Sequence, residues 1–564
     1  MLLTFGSNVH ADSSQSSATG SRASVVAENY MISAANPIAV NEGLKILAAG
    51  GTAADAAVVV QTVLNLVEPQ SSGIGGGAFM LYWDHSEQKL LTYDGREKAP
   101  LSATPDYWLN AEGEPVGWWD AVVGGRSVGV PGTLKLLETA HRQHGNQEWR
   151  TLFVPAIVRA AAGFRISPRL ASSIAAAKEK KLDLFESTKA YFFNADGSAK
   201  AAGTYLKNPA FADTLRQIAI QGSAPFYTGD IAENIVAAVQ TEINSGELTM
   251  DDMAAYEVIE RDPVCFPYRA YRICGMGPPT SGGLTMGQIL TVLSEFDLPA
   301  WGPSVQAWHH YIEAAKLAYA DRGMYMADAD FVDMPVEGLL DPEYLSQRAT
   351  LINPGSAMEK ADAGSPPEKS ASLWAPDTQP ERAGTSHFSI VDQHGDMISM
   401  TTTIETGFGS RVMTGGFLLN NELTDFSRRP EKDGAPIANR VEAGKRPRSS
   451  MSPTIVFQDE KPYILTGSPG GSRIINYVTQ SVIAMLDWNM DPQAAVDMPH
   501  VVNRNGATDL EEGTSATELS AELERLGHKI KVRGLTSGLH AIMIKEGQLI
   551  GGADSRREGI AAGQ

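Results

Sequence analysis

The chain has 564 residues, of which 43% are hydrophobic and 20% are charged, and its formal net charge at pH 7 is −20. This composition is typical of a globular protein, and the length corresponds to two to four domains' worth of chain. The negative charge disfavours nucleic acid and anionic lipid as partners, and no apolar run approaches the roughly 18 residues that a membrane-spanning helix needs.

Residues 1–24 are interpreted as the remnant of a secretory signal or as a disordered N-terminus. Met1–Phe5 is a short apolar stub without a preceding Lys or Arg, and Val9-His10-Ala11 is a small-x-small pattern. Together they resemble the second half of a signal peptide. We therefore expect a periplasmic or secreted protein, with a disordered cytosolic N-terminus as the alternative.

Two helices and a glycine-rich segment are predicted next. Asn36 caps the first helix, and Thr52 caps the second, with Asp55 three residues on in a capping-box position. The second helix is apolar nearly all round and should be buried. The glycines of 73–77 precede the strand-like run 78–83 and permit tight turns and a close approach of backbone. The alternative is that they only let helix and sheet pack closely.

The part of the chain from about residue 120 to 350 is predicted to be largely helical, because its apolar residues recur near every 3.6 positions. The segments with this spacing are Gly132–His141, Ala210–Gln221, Ile231–Ile243 and Leu284–Phe296.

The only two cysteines, Cys265 and Cys274, lie in short strand-like pieces on either side of a turn near Pro267. They can face each other across this hairpin and would pair in an oxidising compartment. The alternative is two buried free thiols. Neither a CxxC pattern nor a nearby His cluster indicates a metal site.

Residues 354–384 are predicted to form a flexible linker, since they are rich in Gly, Ser, Pro, Glu, Lys and Ala. The linker ends at Gly384, and Thr385 opens a strand-like run. A self-cleaving precursor needs such a junction, because a cut before Thr385 leaves it with a hydroxyl and a free α-amine, a nucleophile and its own base. The alternative is a Thr that only begins a strand after a loop.

The chain after the linker is rich in predicted strands, with two further helices at Ile474–Leu486 and Thr517–Leu526. Residues 73–94 also read as strands and need a sheet to join, which favours one intertwined domain over two separate modules. The predicted strands are Ser386–Val391, Met397–Thr403, Thr454–Phe457, Tyr463–Thr466 and His540–Ile544.

Six motifs follow one another in a fixed order. They are Asp94–Pro100, Thr385–Ser389, Thr401–Glu405, Asn420–Ser427, Lys445–Thr454 and Gly467–Arg473. In this order and spacing they resemble the γ-glutamyltransferase family, the N-terminal-nucleophile hydrolases that act on glutathione. The resemblance runs from about Ala35 to the C-terminal region.

The resemblance implies an α+β fold, the four-layer αββα sandwich in which two sheets lie between layers of helices. It also implies a zymogen that is cut between Gly384 and Thr385 into two subunits that stay together. The large subunit would be residues 25–384, ending in the linker 354–384, and the small subunit would be residues 385–564. No metal or other cofactor is implied.

The same resemblance assigns roles to catalytic residues. Thr385 would be the nucleophile, and Thr403 would hydrogen-bond it. Gly470 and Gly471 match the glycines whose backbone N–H groups stabilise the developing oxyanion, where the absence of a side chain lets the amides approach the substrate. The α-amine of Thr385, with a reference pKa of about 7.7–8.0, would serve as the base.

A γ-glutamyl group carries both a carboxylate and an ammonium on its α-carbon. Arg96 can clamp the carboxylate in bidentate fashion, beside the hydroxyls of Ser449 and Ser450. Glu422 and Asp425 can hold the ammonium.

Two features depart from the pattern of the family. Glu405 stands where the better-known members often have Asn, and Thr401–Glu405 followed by Phe408–Arg411 resembles the branch that includes cephalosporin (glutaryl) acylases. The added carboxylate would strengthen ammonium binding or reshape the pocket. The segment Ser427–Arg448 should form a lid, but it has no aromatic residue to cover a bound glutamyl group. A more open cleft is therefore expected.

The implied activity is cleavage of γ-glutamyl amides such as glutathione through an acyl-enzyme on Thr385. The acyl group would pass to water or to an amino acid or peptide. One alternative is an amidase that acts on glutaryl or β-lactam side chains. Another is an uncleaved, inactive member that only binds amino-acid ligands. In each case the partners are small molecules, with no nucleic acid and no integral membrane segment.

Overall fold

Two seven-stranded antiparallel sheets form the middle of the molecule. The computed structural model describes residues 22–367, 374–377 and 384–564. Residues 1–21 of the predicted signal remnant, and residues 368–373 and 378–383 of the predicted linker, lie outside the described residues.

The first sheet contains the predicted nucleophile, and the second contains the cysteine hairpin. In spatial order the first consists of Ile560–Gly563, Met31–Ala34, Thr385–Val391, Met397–Thr403, Gly77–Asp84, Lys89–Gly95 and Ile259–Arg261. The second consists of Val25–Ala27, Gln548–Ala553, His540–Lys545, Lys461–Gly467, Thr454–Gln458, Tyr271–Gly275 and Val264–Tyr268.

Helices cover the outer face of each sheet, so the molecule has four layers. On the first sheet they are Pro37–Ala48, Ala53–Val67, Thr133–His144, Trp149–Leu152, Val154–Ala162, Pro168–Lys178, Glu186–Phe192, Pro209–Gln221, Ala224–Thr228, Asp230–Val239 and Met250–Ala254, with Trp118–Val122 beside them. On the second sheet they are Gly282–Ser294, Leu298–Trp301, Val305–Tyr325, Pro342–Ala349, Ile474–Leu486, Pro492–Asp497 and Ser520–Arg525.

Smaller sheets lie at the periphery. A three-stranded sheet joins Val501–Val502, Thr508–Glu511 and Ile530–Arg533. Two-stranded ribbons pair Phe164–Arg165 with Tyr205–Leu206, Met413–Thr414 with Phe417–Leu418, and Glu431–Lys432 with Ala435–Pro436.

Local sequence signals account for several of these elements. Thr52 and Asp55 form the predicted capping box, and every residue of the helix Ala53–Val67 is buried. The cysteine pieces form a hairpin in which Cys265 is directly opposite Cys274, and a disulfide joins the two sulfurs. The hairpin turns at Arg269, two residues beyond Pro267, with φ of +55°.

The described parts of the predicted linker are attached to the rest of the molecule, which differs from the expectation of a free segment. The amide of Ala357 donates to the Leu526 carbonyl at 2.6 Å, and the amide of Ala361 donates to Asn505 Oδ1 at 2.8 Å. Further along, the amide of Ala375 donates to a carbonyl of the predicted lid. Residues of the predicted large subunit are thereby held on residues of the predicted small subunit. Within the described ranges no helix combines the length and hydropathy required to cross a bilayer.

Candidate active site

The predicted nucleophile lies in a ladder of polar side chains between the two sheets. Thr385 is directly opposite Thr403 on the neighbouring antiparallel strand. Because side chains alternate along a strand, Thr385, Thr403 and Ser399 share one face. That face points to the second sheet, since Ser399 Oγ donates to the Thr466 carbonyl at 3.1 Å. The hydroxyl of Thr385 therefore faces the space between the sheets.

His387, two residues after the nucleophile, holds the ladder together. Its Nδ1 lies 2.9 Å from Thr401 Oγ1 and its Nε2 lies 3.2 Å from Ser389 Oγ. Burial lowers the pKa of His387 well below its usual value, and the neighbouring His540 lowers it further. A neutral ring with both nitrogens engaged is a structural spacer, and the geometry gives it no role as the base for Thr385.

Three hydrogen bonds converge on the hydroxyl of Thr403. It donates to the carbonyl of Gly384 at 2.8 Å, it accepts from the amide of Glu405 at 2.8 Å, and it lies 3.2 Å from Thr385 Oγ. A hydroxyl has one proton and two lone pairs. Its proton is used on Gly384 and one lone pair on Glu405, so the Thr385 hydroxyl donates to the other lone pair. The hydroxyl proton of Thr385 therefore points toward Thr403 Oγ1.

Glu405 holds its amide in place through a left-handed backbone, with φ of +74°. Such a conformation costs of order 1–3 kcal/mol for a residue other than Gly or Asn. The side chain of Asn421 secures the turn, because its Nδ2 donates to Glu405 Oε2 at 2.6 Å and its Oδ1 accepts from the Thr406 amide at 3.0 Å.

Glycines let two loops approach the nucleophile closely. A Cβ on Gly76 would lie 1.9 Å from the Thr403 carbonyl oxygen, so the first glycine segment is needed for close contact between the backbones of two strands. Gly470 and Gly471 have φ of +144° and +60° and follow the strand Lys461–Gly467 of the second sheet. The position of that strand brings Gly471 against the site cavity, which Gly470 does not line.

Arg96 is fully buried and joins the predicted ammonium-binding residues. Its Nη1 donates to Glu422, and its Nη2 donates to Asp425 Oδ2 at 2.7 Å and to the Arg448 carbonyl at 2.9 Å. Its Nε donates to the Pro447 carbonyl at 3.1 Å. The predicted binder of the carboxylate and the predicted binders of the ammonium are thus paired with one another.

Glu97 belongs to the same cluster, although the motif analysis did not assign it a role. Its Oε2 lies 3.8 Å from Arg96 Nη1. Burial raises the pKa of Glu97 to about 8, more than Arg96 lowers it, and burial also raises the pKa of Glu422. At neutral pH Glu97 therefore keeps its proton and can share it with Glu422. Its position directly after Arg96 in the Asp94–Pro100 motif was the sequence signal that could have pointed to Glu97.

The two predicted serines are held by the second helical layer. Ser450 Oγ accepts from Arg322 Nη2 at 2.6 Å, and Ser449 Oγ accepts from the amide of Met451 at 3.1 Å. Arg322 also donates from Nε to Ser281 Oγ at 2.8 Å. Both serine oxygens are thereby fixed in place by N–H donors.

One small cavity brings most of the predicted site together. Its volume is about 20 Å3, enough for about one water molecule and too small for a glutamyl group. In the uncut chain the acyl site is therefore too constricted for this group. The predicted residues that line it are Thr385, Thr403, Gly471, Arg96, Glu405, Glu422, Asp425, Ser449 and Ser450.

Arg557 also contacts the nucleophile, but no sequence signal pointed to it. Its Nη1 donates to the backbone carbonyl of Thr385 at 3.0 Å, from a position 172 residues further along the chain. The strand Ile560–Gly563 begins three residues later and joins the nucleophile's sheet, which explains how the chain brings Arg557 to this place.

Part of the linker covers the predicted lid. Asp377 Oδ2 accepts from Arg448 Nη2 at 3.0 Å, and the Arg440 guanidinium lies 6.0 Å from the ring of Trp374. The lid itself lacks aromatic residues, as its sequence shows, but Trp374 provides one in the uncut chain.

One group among the described residues has ligand atoms close enough to hold a metal ion: His309, Glu313 and His528. Lys316 Nζ donates to Glu313 Oε1 at 2.7 Å, so an ammonium already neutralises this carboxylate. The cluster lies in the helical layer of the second sheet, away from Thr385.

The match to a family model decides the assignment. The model described as gamma-glutamyltranspeptidase matches residues 39–564. The chain belongs to the gamma-glutamyltranspeptidase family. The resemblance drawn from the six motifs is confirmed, and so is the fold class of the N-terminal-nucleophile hydrolases.

Full-length relatives agree with this assignment. The glutathione hydrolase proenzyme of Bacillus subtilis (strain 168) is 36% identical over 551 residues, which cover 95% of this chain and 92% of the relative. The proenzyme of the same name from Escherichia coli (strain K12) is 35% identical over 546 residues, or 94% and 91% of the two chains. The crystal structure of cephalosporin acylase from Bacillus halodurans superposes with a TM-score of 0.86 at 28% identity over 99% of both chains.

These relatives support the enzyme class and a precursor that is processed into two subunits. The roles of individual site residues, including the cut before Thr385, stay predictions that rest on the geometry above.

Proposed function

We propose that this gamma-glutamyltranspeptidase family member is an autoprocessed glutathione hydrolase and γ-glutamyltransferase with Thr385 as its nucleophile. The observation that carries this proposal is the contact of one hydroxyl, that of Thr403, with both the Thr385 oxygen and the Gly384 carbonyl. The proenzyme names of the full-length relatives agree with a precursor that must be cut.

Processing follows from this geometry. Attack by Thr385 Oγ on the Gly384 carbonyl carbon forms a C–O bond. The Thr385 proton passes to Thr403 as the Thr403 proton passes to the carbonyl oxygen, so the cyclic intermediate carries no net charge. Its collapse breaks the C–N bond, the nitrogen takes up a proton to become the α-amine, and Gly384 remains as an ester on Thr385. Water then hydrolyses this ester.

The matured residue repeats the chemistry on a substrate. The α-amine takes the Thr385 hydroxyl proton while the oxygen attacks the γ-carbonyl, and the proton is then given to the departing amine. The amide of Gly471, at the edge of the site cavity, is placed to stabilise the oxyanion. Water or an acceptor amine then resolves the acyl-enzyme.

The charges of the site favour a zwitterionic acyl group. Among the described residues that line the site cavity, three acidic side chains, Glu405, Glu422 and Asp425, accompany the single guanidinium of Arg96, and burial raises the pKa of Glu422. The α-carboxylate of a substrate can bind Arg96 only if another positive charge replaces the guanidinium beside Glu422 and Asp425. A γ-glutamyl group brings that charge in its ammonium, whereas a glutaryl group brings only a further negative charge.

A glutaryl or cephalosporin side-chain amidase is the second candidate. It is favoured by the TM-score of 0.86 to a cephalosporin acylase over nearly the whole chain, and by Glu405 in place of the usual Asn. The excess of acidic side chains around Arg96 argues against it.

Two chromogenic donors separate the candidates. We expect the matured protein to cleave γ-glutamyl-p-nitroanilide with the higher kcat/KM, and a preference for glutaryl-p-nitroanilide would contradict the γ-glutamyl assignment. Thr385→Ala should remain a full-length band on a denaturing gel and release no nitroaniline from either compound. A wild-type chain that stays uncut and inactive would instead favour a ligand-binding role.

An oxidising compartment, periplasmic or extracellular, is our proposal for the location. It is supported by the disulfide between Cys265 and Cys274. Fractionation of cells that express the native gene tests it, and recovery of the protein in the cytosol with both thiols reduced would contradict it.

A further inference from the structure

The disulfide between Cys265 and Cys274 lies at an edge of the second sheet. The strand Val264–Tyr268 ends this sheet, and among the described residues no further strand pairs with it. Cys265 on this strand is partly exposed, whereas Cys274 on the neighbouring strand is completely buried. Pro267 shares the face of Cys265, because side chains alternate along a strand, and Pro267 is exposed. Solvent therefore reaches this face of the hairpin from the edge of the sheet.

A guanidinium lies beside both sulfurs. Arg272 Nη1 is 3.1 Å from Cys274 Sγ and 3.7 Å from Cys265 Sγ. Two contacts that do not involve sulfur hold the guanidinium there. It lies 4.3 Å from the centroid of the Phe457 ring, and its Nη2 donates to Glu460 Oε2 at 2.7 Å. A positive charge beside a cysteine favours the thiolate over the thiol.

The two sulfurs differ as targets for an attacking thiolate. Exchange depends on which sulfur is accessible and on how stable the departing thiolate is. Because Cys265 is directly opposite Cys274, the S–S bond spans the two strands, and approach to Cys265 in line with this bond comes from beyond the edge strand. The departing thiolate is then that of Cys274, the sulfur closer to the Arg272 guanidinium. Access and charge thus favour the same direction of attack.

We propose that Cys265 is a site of thiol–disulfide exchange that takes low-molecular-weight thiols. The attacking thiolate forms an S–S bond to Cys265 Sγ, the bond to Cys274 breaks, and Cys274 keeps the electron pair as a thiolate beside Arg272. A second small thiolate then attacks the sulfur of the bound molecule and releases it as a small disulfide, and Cys265 keeps that electron pair. The protein disulfide gains two electrons, and two small thiols are oxidised.

The proposed function supplies such a thiol. Hydrolysis of glutathione releases cysteinylglycine, and glutathione is a thiol itself. The exchange site does not depend on catalysis at Thr385. Only the identity of the thiol that accumulates beside the enzyme rests on the proposed function.

The direction of attack is tested in the uncut Thr385→Ala protein, where no turnover takes place. The protein is incubated with cysteinylglycine and quenched in acid, and the remaining thiols are labelled with N-ethylmaleimide. Trypsin then separates the two cysteines, because Arg269 and Arg272 lie between them. Mass spectrometry of the peptides shows which cysteine carries which group.

We expect cysteinylglycine on Cys265 and the maleimide on Cys274, in an excess of at least about tenfold over the opposite arrangement. An equal or larger amount of cysteinylglycine on Cys274 would overturn the proposal. The absence of any adduct on the native protein, under conditions in which the urea-unfolded chain reacts, would overturn it as well.

Variants of Arg272 test the role of the guanidinium. Arg272→Gln should slow adduct formation about tenfold, because the departing thiolate loses the cation beside it, and Arg272→Lys should stay within about threefold of the parent. Lys461→Gln is the matched control, since this exposed lysine is next to Glu460 in the chain and makes no hydrogen bond to either sulfur in the described ranges. It should react at the rate of the parent. An Arg272→Gln variant as fast as its parent would contradict the directed attack.

Glutathione as the only added thiol separates the exchange site from the proposed function. In Thr385→Ala, Cys265 should carry glutathione. In matured wild type it should also carry cysteinylglycine, in a share that grows as hydrolysis proceeds. If wild type carries glutathione alone, the proposed function is wrong and the exchange site stands. If neither protein carries an adduct, the exchange site is wrong, whether or not glutathione is hydrolysed.

Discussion

Replacing Thr403 with Val should uncouple folding from self-cleavage. Val keeps the shape of Thr but removes the oxygen that donates to the Gly384 carbonyl at 2.8 Å and lies 3.2 Å from Thr385 Oγ. The precursor then loses both the donor that polarises the scissile carbonyl and the acceptor for the nucleophile's proton.

The size of the effect follows from these contacts. Removal of one preorganised donor from a developing oxyanion costs about 3–4 kcal/mol, or 100- to 1,000-fold in rate. Cleavage of Thr403→Val should therefore be slower by at least about 100-fold. The variant also leaves the buried amide of Glu405 without its partner at 2.8 Å, which lowers the free energy of unfolding by about 1–3 kcal/mol.

The assay is the time course of fragment appearance on a denaturing gel, started from freshly purified precursor. Thr403→Ser is the matched control, because it restores the hydroxyl and should cleave within about tenfold of wild type. Circular dichroism and a thermal melt establish that Thr403→Val is folded. Cleavage of the folded Val variant at the wild-type rate would refute the assignment of Thr403 as the carbonyl's proton donor.

Two further predictions concern stability. Burial raises the pKa of Glu97 to about 8 in the folded protein, against 4.5 in the unfolded chain. The contribution of protonated Glu97 to the stability of the fold is therefore complete below pH 4.5 and is lost as the pH rises through 8. The comparison is made in the uncut Thr385→Ala background, with and without Glu97→Gln, by urea denaturation. The unfolding free energy of the Gln variant minus that of its parent should increase by up to about 1.4 kcal/mol per pH unit between these limits. A pH-independent difference would show that Glu97 is ionised. Replacing Cys265 and Cys274 together by Ser should lower the unfolding free energy by about 2–3 kcal/mol, from the loop entropy of a nine-residue separation, and an unchanged melting temperature would contradict this disulfide's contribution.

Local signals in the sequence were enough to predict the elements that have a capping residue or a clear alternation of polar and apolar residues. The helix that Thr52 caps and the strand Met397–Thr403 lie where capping and alternation predicted them. The strand Met31–Ala34 and the edge strand Ile560–Gly563 were not predicted, because four residues of small and apolar side chains give no clear period. Their place in the first sheet depends on pairing with each other and with Thr385–Val391.

The site residues also fall into two groups, those with a local sequence signal and those without one. The motifs placed Arg96, Glu422 and Thr403 near the nucleophile because each lies in a recognisable run of sequence. Arg557 had no such run, and its contact with Thr385 arises only from tertiary folding. A charged residue such as Glu97 reads as solvated in a sequence, and only its complete burial in the fold shows that it keeps a proton.

The N-terminal sequence of the smaller fragment tests the central claim most directly. After maturation the account predicts a fragment of about 19 kDa, in proportion to 60.3 kDa for the whole chain, that begins Thr-Ser-His-Phe-Ser. Edman degradation or mass spectrometry of the catalytically active protein gives the answer. An active enzyme whose second fragment starts at any residue other than Thr385, or an active chain that remains uncut, would contradict the claim that cleavage creates the nucleophile's base.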